Sequence, residues 1–175
     1  MSDTRVVLLG VGAIGRELLR QVATNARSPT RHLRVCGLID SSGYVYESHG
    51  LSWRRVMELR AHKANGGRLA DANDGVPATT VEAIRTLRAE KGARSVLVDA
   101  TAADTAPFIE DVLARGWDVV LANKLPLSGS QPAADRLHAL VTARNRQMLH
   151  EATVGAGLPV IDTLRKLLES GDRVL

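Results

Sequence analysis

The chain has 175 residues, 45% of them hydrophobic and only 3% aromatic, which suits a single domain with an aliphatic core of Val, Leu, Ile and Ala. Its net charge of +4 comes from scattered arginines such as Arg54, Arg55, Arg60, Arg85, Arg88 and Arg94, without a dense basic run or interleaved aromatics, and this argues against a nucleic-acid binder. No stretch approaches the ~18 consecutive apolar residues of a membrane span. The N-terminus, where only four apolar residues separate Arg5 from the first glycine, does not read as a secretory signal, so a cytoplasmic protein is expected.

Arg5 to Leu9 reads as a first strand and Ile14 to Ala23 as a helix, with Ile14, Leu18, Leu19 and Val22 at helical spacing. Leu33 to Ile39 is a second strand that ends in Asp40. It contains the lone cysteine, Cys36, which reads as a small buried hydrophobe. Ser41 to Gly50 is polar and glycine-marked and is expected as loop. Ser52 caps a helix that runs to about Lys63 and is stopped by Asn65-Gly66-Gly67. Thr80 to Lys91 is predicted as an amphipathic helix, with Gly92 beyond it.

Ser95 to Asp99 is the third clear strand, Asp104 to Arg115 a helix closed by Gly116, and Asp118 to Ala122 a fourth strand. Gln131 to Arg146 is a helix, Gln147 to His150 a short fifth strand, and Pro159 to Glu169 a last helix broken by Gly171. Arg173-Val174-Leu175 looks like the start of another strand. Strands thus alternate with helices over one domain, residues 1–175. The pattern predicts an α/β fold with a doubly wound parallel sheet of Rossmann type and helices on both faces.

Between the first strand and the first helix lies Gly10-Val11-Gly12-Ala13-Ile14-Gly15. Gly-x-Gly-x-x-Gly is a weak signal by itself, but a strand before it and a helix after it is the context it needs. Gly10 allows the tight turn, Gly12 lets backbone approach a pyrophosphate, and Gly15 lets the helix pack on the strand. The helix N-terminus then receives the phosphates. Asp40 ends the second strand, where a carboxylate accepts hydrogen bonds from the adenosine ribose and repels a 2′-phosphate. That favours NAD, although the small residues Ser41, Ser42 and Gly43 weaken the preference and leave NADP open. The alternative for Asp40 is a plain turn aspartate.

Ligands of an open parallel sheet lie outside the carboxyl ends of its strands. Thr101 follows the third strand, where it either meets the nicotinamide side of the cofactor or caps a turn. Lys124 follows the fourth strand and is a candidate for binding a substrate oxygen or for proton transfer, against the alternative of a solvated lysine. Glu151 opens a glycine-rich stretch with free carbonyls. It suits a hard cation, or else it caps the helix that begins near Pro159.

Four segments in order, Gly10 to Gly15, Val98-Asp99-Ala100-Thr101, Ala122-Asn123-Lys124 and His150 to Pro159, make the chain resemble the nucleotide-binding part of homoserine dehydrogenase. The resemblance covers essentially the whole chain, least clearly between Ser41 and Thr80. It implies interconversion of L-homoserine and L-aspartate 4-semialdehyde with NAD(P)H, on the route to threonine, isoleucine and methionine. It also implies cofactor contacts at Ala13, Ile14, Ala100, Thr101 and Lys124, with Lys124 as the active-site lysine. A monovalent cation, usually sodium, would sit at Glu151 and the carbonyls of Val154, Ala156 and Leu158. The family continues past the segment matching Glu169 to Asp172 into a substrate and dimerisation domain. This chain is therefore expected to bind cofactor without full catalysis, and homodimerisation is expected of the complete enzyme. The alternative is a stand-alone dinucleotide-binding module with a sensing or regulatory role.

Overall fold

The computed structural model describes residues 4–24, 32–90, 92–155 and 157–173. The chain runs β1 (Thr4–Leu9), α1 (Ala13–Thr24), β2 (Leu33–Asp40), β3 (Gly43–Tyr46), α2 (Trp53–Ala64), β4 (Val76–Pro77) and α3 (Thr80–Thr86). It continues with β5 (Arg94–Asp99), α4 (Ala106–Ala114), β6 (Asp118–Leu121), α5 (Leu125–Ser128), α6 (Gln131–Ala143), β7 (Met148–Leu149) and α7 (Val160–Glu169). The strands form one seven-stranded sheet in the order β4-β3-β2-β1-β5-β6-β7. The five strands from β2 to β7 across the centre are parallel, as predicted. β3 and β4 are antiparallel additions at one edge.

The alternation of side chains along the central strands divides the interior in two. Val7, Leu9, Leu97, Val119 and Leu121 are buried under α3, α4 and α6 together with Ile84, Ile109, Leu113 and Leu137. Leu8, Val35, Leu38 and Val45 meet Leu19 of α1 and Val56 and Leu59 of α2 on the opposite face. A fully buried aliphatic side chain of this size contributes about 1.5–3 kcal/mol. Helices therefore do cover both faces, but α1 and α2 shelter only the β1–β3 half of theirs. Beyond α1, an apolar groove of about 350 Å³ runs past Val96, Val98, Val120 and Leu149. Leu149 is 57% exposed there.

The helix starts are chemical. Ser52 accepts the amide of Arg55 and caps α2, as predicted. Thr79 and Glu82 form a reciprocal capping box at α3. Two expectations need correction. Ser41 to Gly50 is not all loop, because Gly43–Tyr46 forms β3. Gly43 and Val45 point inward there, and the Tyr46 hydroxyl accepts from Arg5 at 2.8 Å. The polar flanks had hidden a four-residue strand. α3 ends at Thr86, short of the predicted boundary at Lys91, which lies outside the described residues. Leu87 turns extended and is buried, and Arg115 donates to the carbonyls of Ile84 and Leu87 at 3.1 Å each, closing the helix end. The strand suggested at Arg173 falls on residues 174–175, also outside the described residues.

Candidate functional site

From β1 the chain turns through α1 to β2 on one side, while β5 lies on the other. The carboxyl ends of β1 and β5 are thus the point where the winding reverses, which is where an open sheet binds its ligand. A cleft of about 640 Å³ opens there. Its walls include Gly10, Gly12, Ala13, Ile14, Asp40, Ala100 and Thr101, so seven of the sequence-predicted site residues share one cavity.

The glycine turn is shaped by close approaches. Gly10 has φ +93°, and a Cβ on it would meet the Ala100 carbonyl carbon and oxygen at 2.9 Å. Its amide donates to Ile39 O at 2.8 Å, and the Ala100 amide donates to Leu9 O at 2.8 Å, which ties the turn to both neighbouring strands. Gly15 is buried behind the turn, and its Cβ would stand 2.1 Å from Gly10 O. Gly12 differs: a Cβ there would touch nothing within 4 Å, because it would point into the cleft mouth. The first amides of α1 have no acceptor within the helix, and no acidic side chain stands in its first turn. That end therefore presents donors and a positive dipole to an anion. Ile14 is 61% exposed on the same rim, an apolar side chain left in solvent where a flat ligand would cover it.

Asp40 closes one end of the cleft and serves two purposes. One carboxylate oxygen accepts the amide of Ser42 (2.7 Å), its hydroxyl (2.6 Å) and the amide of Gly43 (3.2 Å), forming an Asx turn that starts the β2–β3 hairpin. The other accepts Lys63 Nζ at 2.5 Å and the amide of Leu69 at 3.4 Å. Burial works against its charged form, but the Lys63 ammonium and the Ser42 hydroxyl and amide outweigh burial. They hold the carboxyl below the ordinary carboxylate range. Asp40 is thus a turn aspartate that also lines the cleft.

The other end is built on Asp99, fully buried at the close of β5. Its Oδ1 accepts the amide and hydroxyl of Thr101 at 2.9 and 2.7 Å. Its Oδ2 accepts the Thr105 hydroxyl at 2.5 Å and Asn123 Nδ2 at 3.0 Å. Asn123 Nδ2 also donates to Ala103 O at 2.7 Å, while Asn123 Oδ1 accepts the amide of Leu125 at 3.1 Å. Lys124 stands between these anchored residues as the N-cap of α5. It is exposed and does not form the cleft wall itself.

The Glu151 loop lies apart from the cleft, in a 3-10 turn after β7. The Glu151 oxygens accept the amides of Ile161 and Asp162, each at 3.0 Å, and so cap α7. The Leu158 carbonyl accepts the Val160 amide at 2.8 Å; Val154 and Leu158 are exposed, and Ala156 lies outside the described residues. No group of three or more His, Cys, Asp and Glu side chains suited to a metal occurs among the described residues. Reading the sequence missed Lys63, Arg16 and the Asp99–Asn123 pair. Arg16 and Lys63 line the cleft from helices whose spacing says nothing of a ligand. The signal for Asp99 and Asn123 was available in the segments around Thr101 and Lys124, where only the flanking residues drew attention.

A family model described as the NAD-binding domain of homoserine dehydrogenase matches residues 10–151. The chain is 34% identical to the chloroplastic bifunctional aspartokinase/homoserine dehydrogenase 1 of Arabidopsis thaliana, over 97% of this chain and 18% of that protein. It is 30% identical to the homoserine dehydrogenase of Emericella nidulans, over 95% of this chain and 44% of that one. Among solved structures, a hyperthermophilic archaeal homoserine dehydrogenase in complex with NADPH superposes with a TM-score of 0.74 at 25% identity, covering 97% of this chain and 50% of that chain. The chain therefore spans less than half the length of these curated relatives.

Proposed function

Because the chain belongs to the homoserine dehydrogenase NAD-binding domain family, we propose that it binds a nicotinamide dinucleotide in the cleft at the β1–β5 switch point and serves the interconversion of L-homoserine and L-aspartate 4-semialdehyde. The observation that carries this reading is the single cavity that joins the donor end of α1, Asp40 on one side and Ala100–Thr101 on the other. The pyrophosphate fits the Gly10–Gly15 turn, the adenosine ribose fits Asp40, and the nicotinamide half fits the β5 and β6 loops. The bound nicotinamide supplies the hydride acceptor or donor. This reading assigns to Lys124, exposed after β6, the task of taking the hydroxyl proton of homoserine when its carbinol carbon loses a hydride, and of returning it in reduction.

NAD is the cofactor this reading favours, since Asp40 presents a carboxylate to the ribose; its ion pair with Lys63 weakens the repulsion of a 2′-phosphate and admits NADP as well. The Glu151 loop enters the reading as a site for a monovalent cation. Its carboxylate and the carbonyls of Val154, Ala156 and Leu158 are hard oxygen donors, and each Glu151 oxygen keeps a lone pair beyond its helix amide. The same reading keeps the cytoplasm as compartment and a homodimer as the state of the complete enzyme. No described helix is long and apolar enough to cross a membrane. Calorimetric titration of the chain with NAD and NADP separately tests the proposal. Saturable binding of NAD is expected; binding of neither overturns the function, and tighter binding of NADP overturns the preference.

A further inference from the structure

A buried carboxylate with neutral partners is unusual enough to need a reason. Asp99 is 0% exposed, and its hydrogen-bond partners among the described residues are hydroxyls, an amide N–H and a side-chain amide. All of them donate. The Asp99 carboxyl gathers groups from two separate loops: Thr101 and Thr105 after β5, and Asn123 after β6. Asn123 extends the connection. Through Nδ2 it holds Asp99 and Ala103, and through Oδ1 it holds the amide of Leu125, so the backbone on both sides of Lys124 is fixed to the loop that carries Thr101.

We infer that Asp99 and Asn123 are positioning residues that lock the Thr101 loop and the Lys124 turn into one rigid unit, the floor on which the nicotinamide half of the cofactor rests. Neither residue lines the cleft, so both act through Thr101 and the Lys124 backbone. The inference rests on the assignment of the cleft to a dinucleotide. Its geometry makes a separate demand: among the described residues the side chains of Asp99 and Asn123 share no hydrogen bond with Gly10–Gly15 or Asp40, which hold the adenosine half.

The test compares two ligands on the same chain. ADP fills the adenosine and pyrophosphate part alone, and NAD fills both. In Asp99→Asn an amide N–H replaces an acceptor among donors, and NAD is expected to weaken roughly tenfold or more while ADP stays within about twofold. Asn123→Asp sets a second carboxylate within hydrogen-bond distance of Asp99, so the two must share a proton. NAD affinity of that variant should recover as the pH is lowered, with no matching change for ADP. Thr105→Val, which removes one donor without changing volume, provides the mildest version and should show the same NAD-selective loss. In the ligand-free chain, amide hydrogen exchange in Asp99→Asn should accelerate together at 101–105 and 124–128 but not in β1 or α1. Equal losses of NAD and ADP, or faster exchange in one loop only, would overturn the inference. If the unmodified chain binds ADP but not NAD, the dinucleotide assignment fails instead, and the exchange result still decides whether the two loops are locked.

Discussion

Gly12→Ala separates ligand binding from folding within a single turn. Gly12 is the N-cap of α1, its carbonyl accepting the Arg16 amide at 2.9 Å, and a Cβ built on it has no neighbour within 4 Å. Two small terms act on stability. Alanine lowers the entropy of the unfolded chain, worth about 0.4–1 kcal/mol, and is a poorer N-cap than glycine by a similar amount. They oppose each other, so the melting temperature should move by no more than about 2 °C. Binding has no such cancellation. The new methyl group occupies the path by which a pyrophosphate reaches the α1 amides, and the loss of one charge-assisted hydrogen bond is worth about 1.5–3 kcal/mol. NAD affinity should therefore fall roughly 10- to 100-fold. Calorimetry with NAD, alongside a thermal melt of the same sample, reads both quantities. Unchanged affinity would refute the placement of the pyrophosphate, and a loss of affinity matched by a large loss of melting temperature would refute the separation of roles.

Gly15→Ala should behave in the opposite way. Its Cβ would lie 2.1 Å from Gly10 O, a backbone atom that cannot swing aside, so a loss of about 2 kcal/mol or more is expected, seen as a melting temperature lower by at least about 4 °C. Lys63→Met leaves the Asp40 carboxylate without its ion-pair partner at the ribose end; NADP should weaken roughly tenfold more than NAD, and equal effects on both would contradict the charge argument. The lowered Asp40 pKa means that the folded chain releases this proton more readily than the unfolded chain. Its stabilisation is complete above about pH 5 and is lost as the pH falls through the lowered folded value. The difference in melting temperature between the unmodified chain and Asp40→Asn should accordingly shrink between about pH 5 and pH 2; a constant difference would count against it.

The central strands were legible because each is a short run rich in apolar residues, which composition alone identifies. The glycine turn was legible because its three glycines meet steric demands that no other residue satisfies at two of the positions. β3 was not, because its hydrogen bonds to β2 and β4 come from across the sheet while its own four residues sit among polar neighbours. The end of α3 was hidden for a related reason. Arg115, far along the chain, supplies the donors that allow the helix to stop at Thr86. Lys63 and Asn123 show the same limit at the site. Each takes its meaning from a carboxylate on another strand end, and pairing across the sheet leaves no trace in local spacing.

The two outermost strands deserve a different kind of reading. β4 and β7 each contain two residues, and β4 includes Pro77, which has no N–H to offer. A partly folded neighbour that tried to extend the sheet would find at either margin a ladder only two residues long, one of them interrupted by proline. Five parallel strands rich in valine and leucine are the kind of template on which chains coalesce while folding is incomplete. Stubs at both margins make propagation from one molecule to the next unrewarding. Among the described residues, the margins of the sheet therefore offer little free backbone for edge-to-edge pairing.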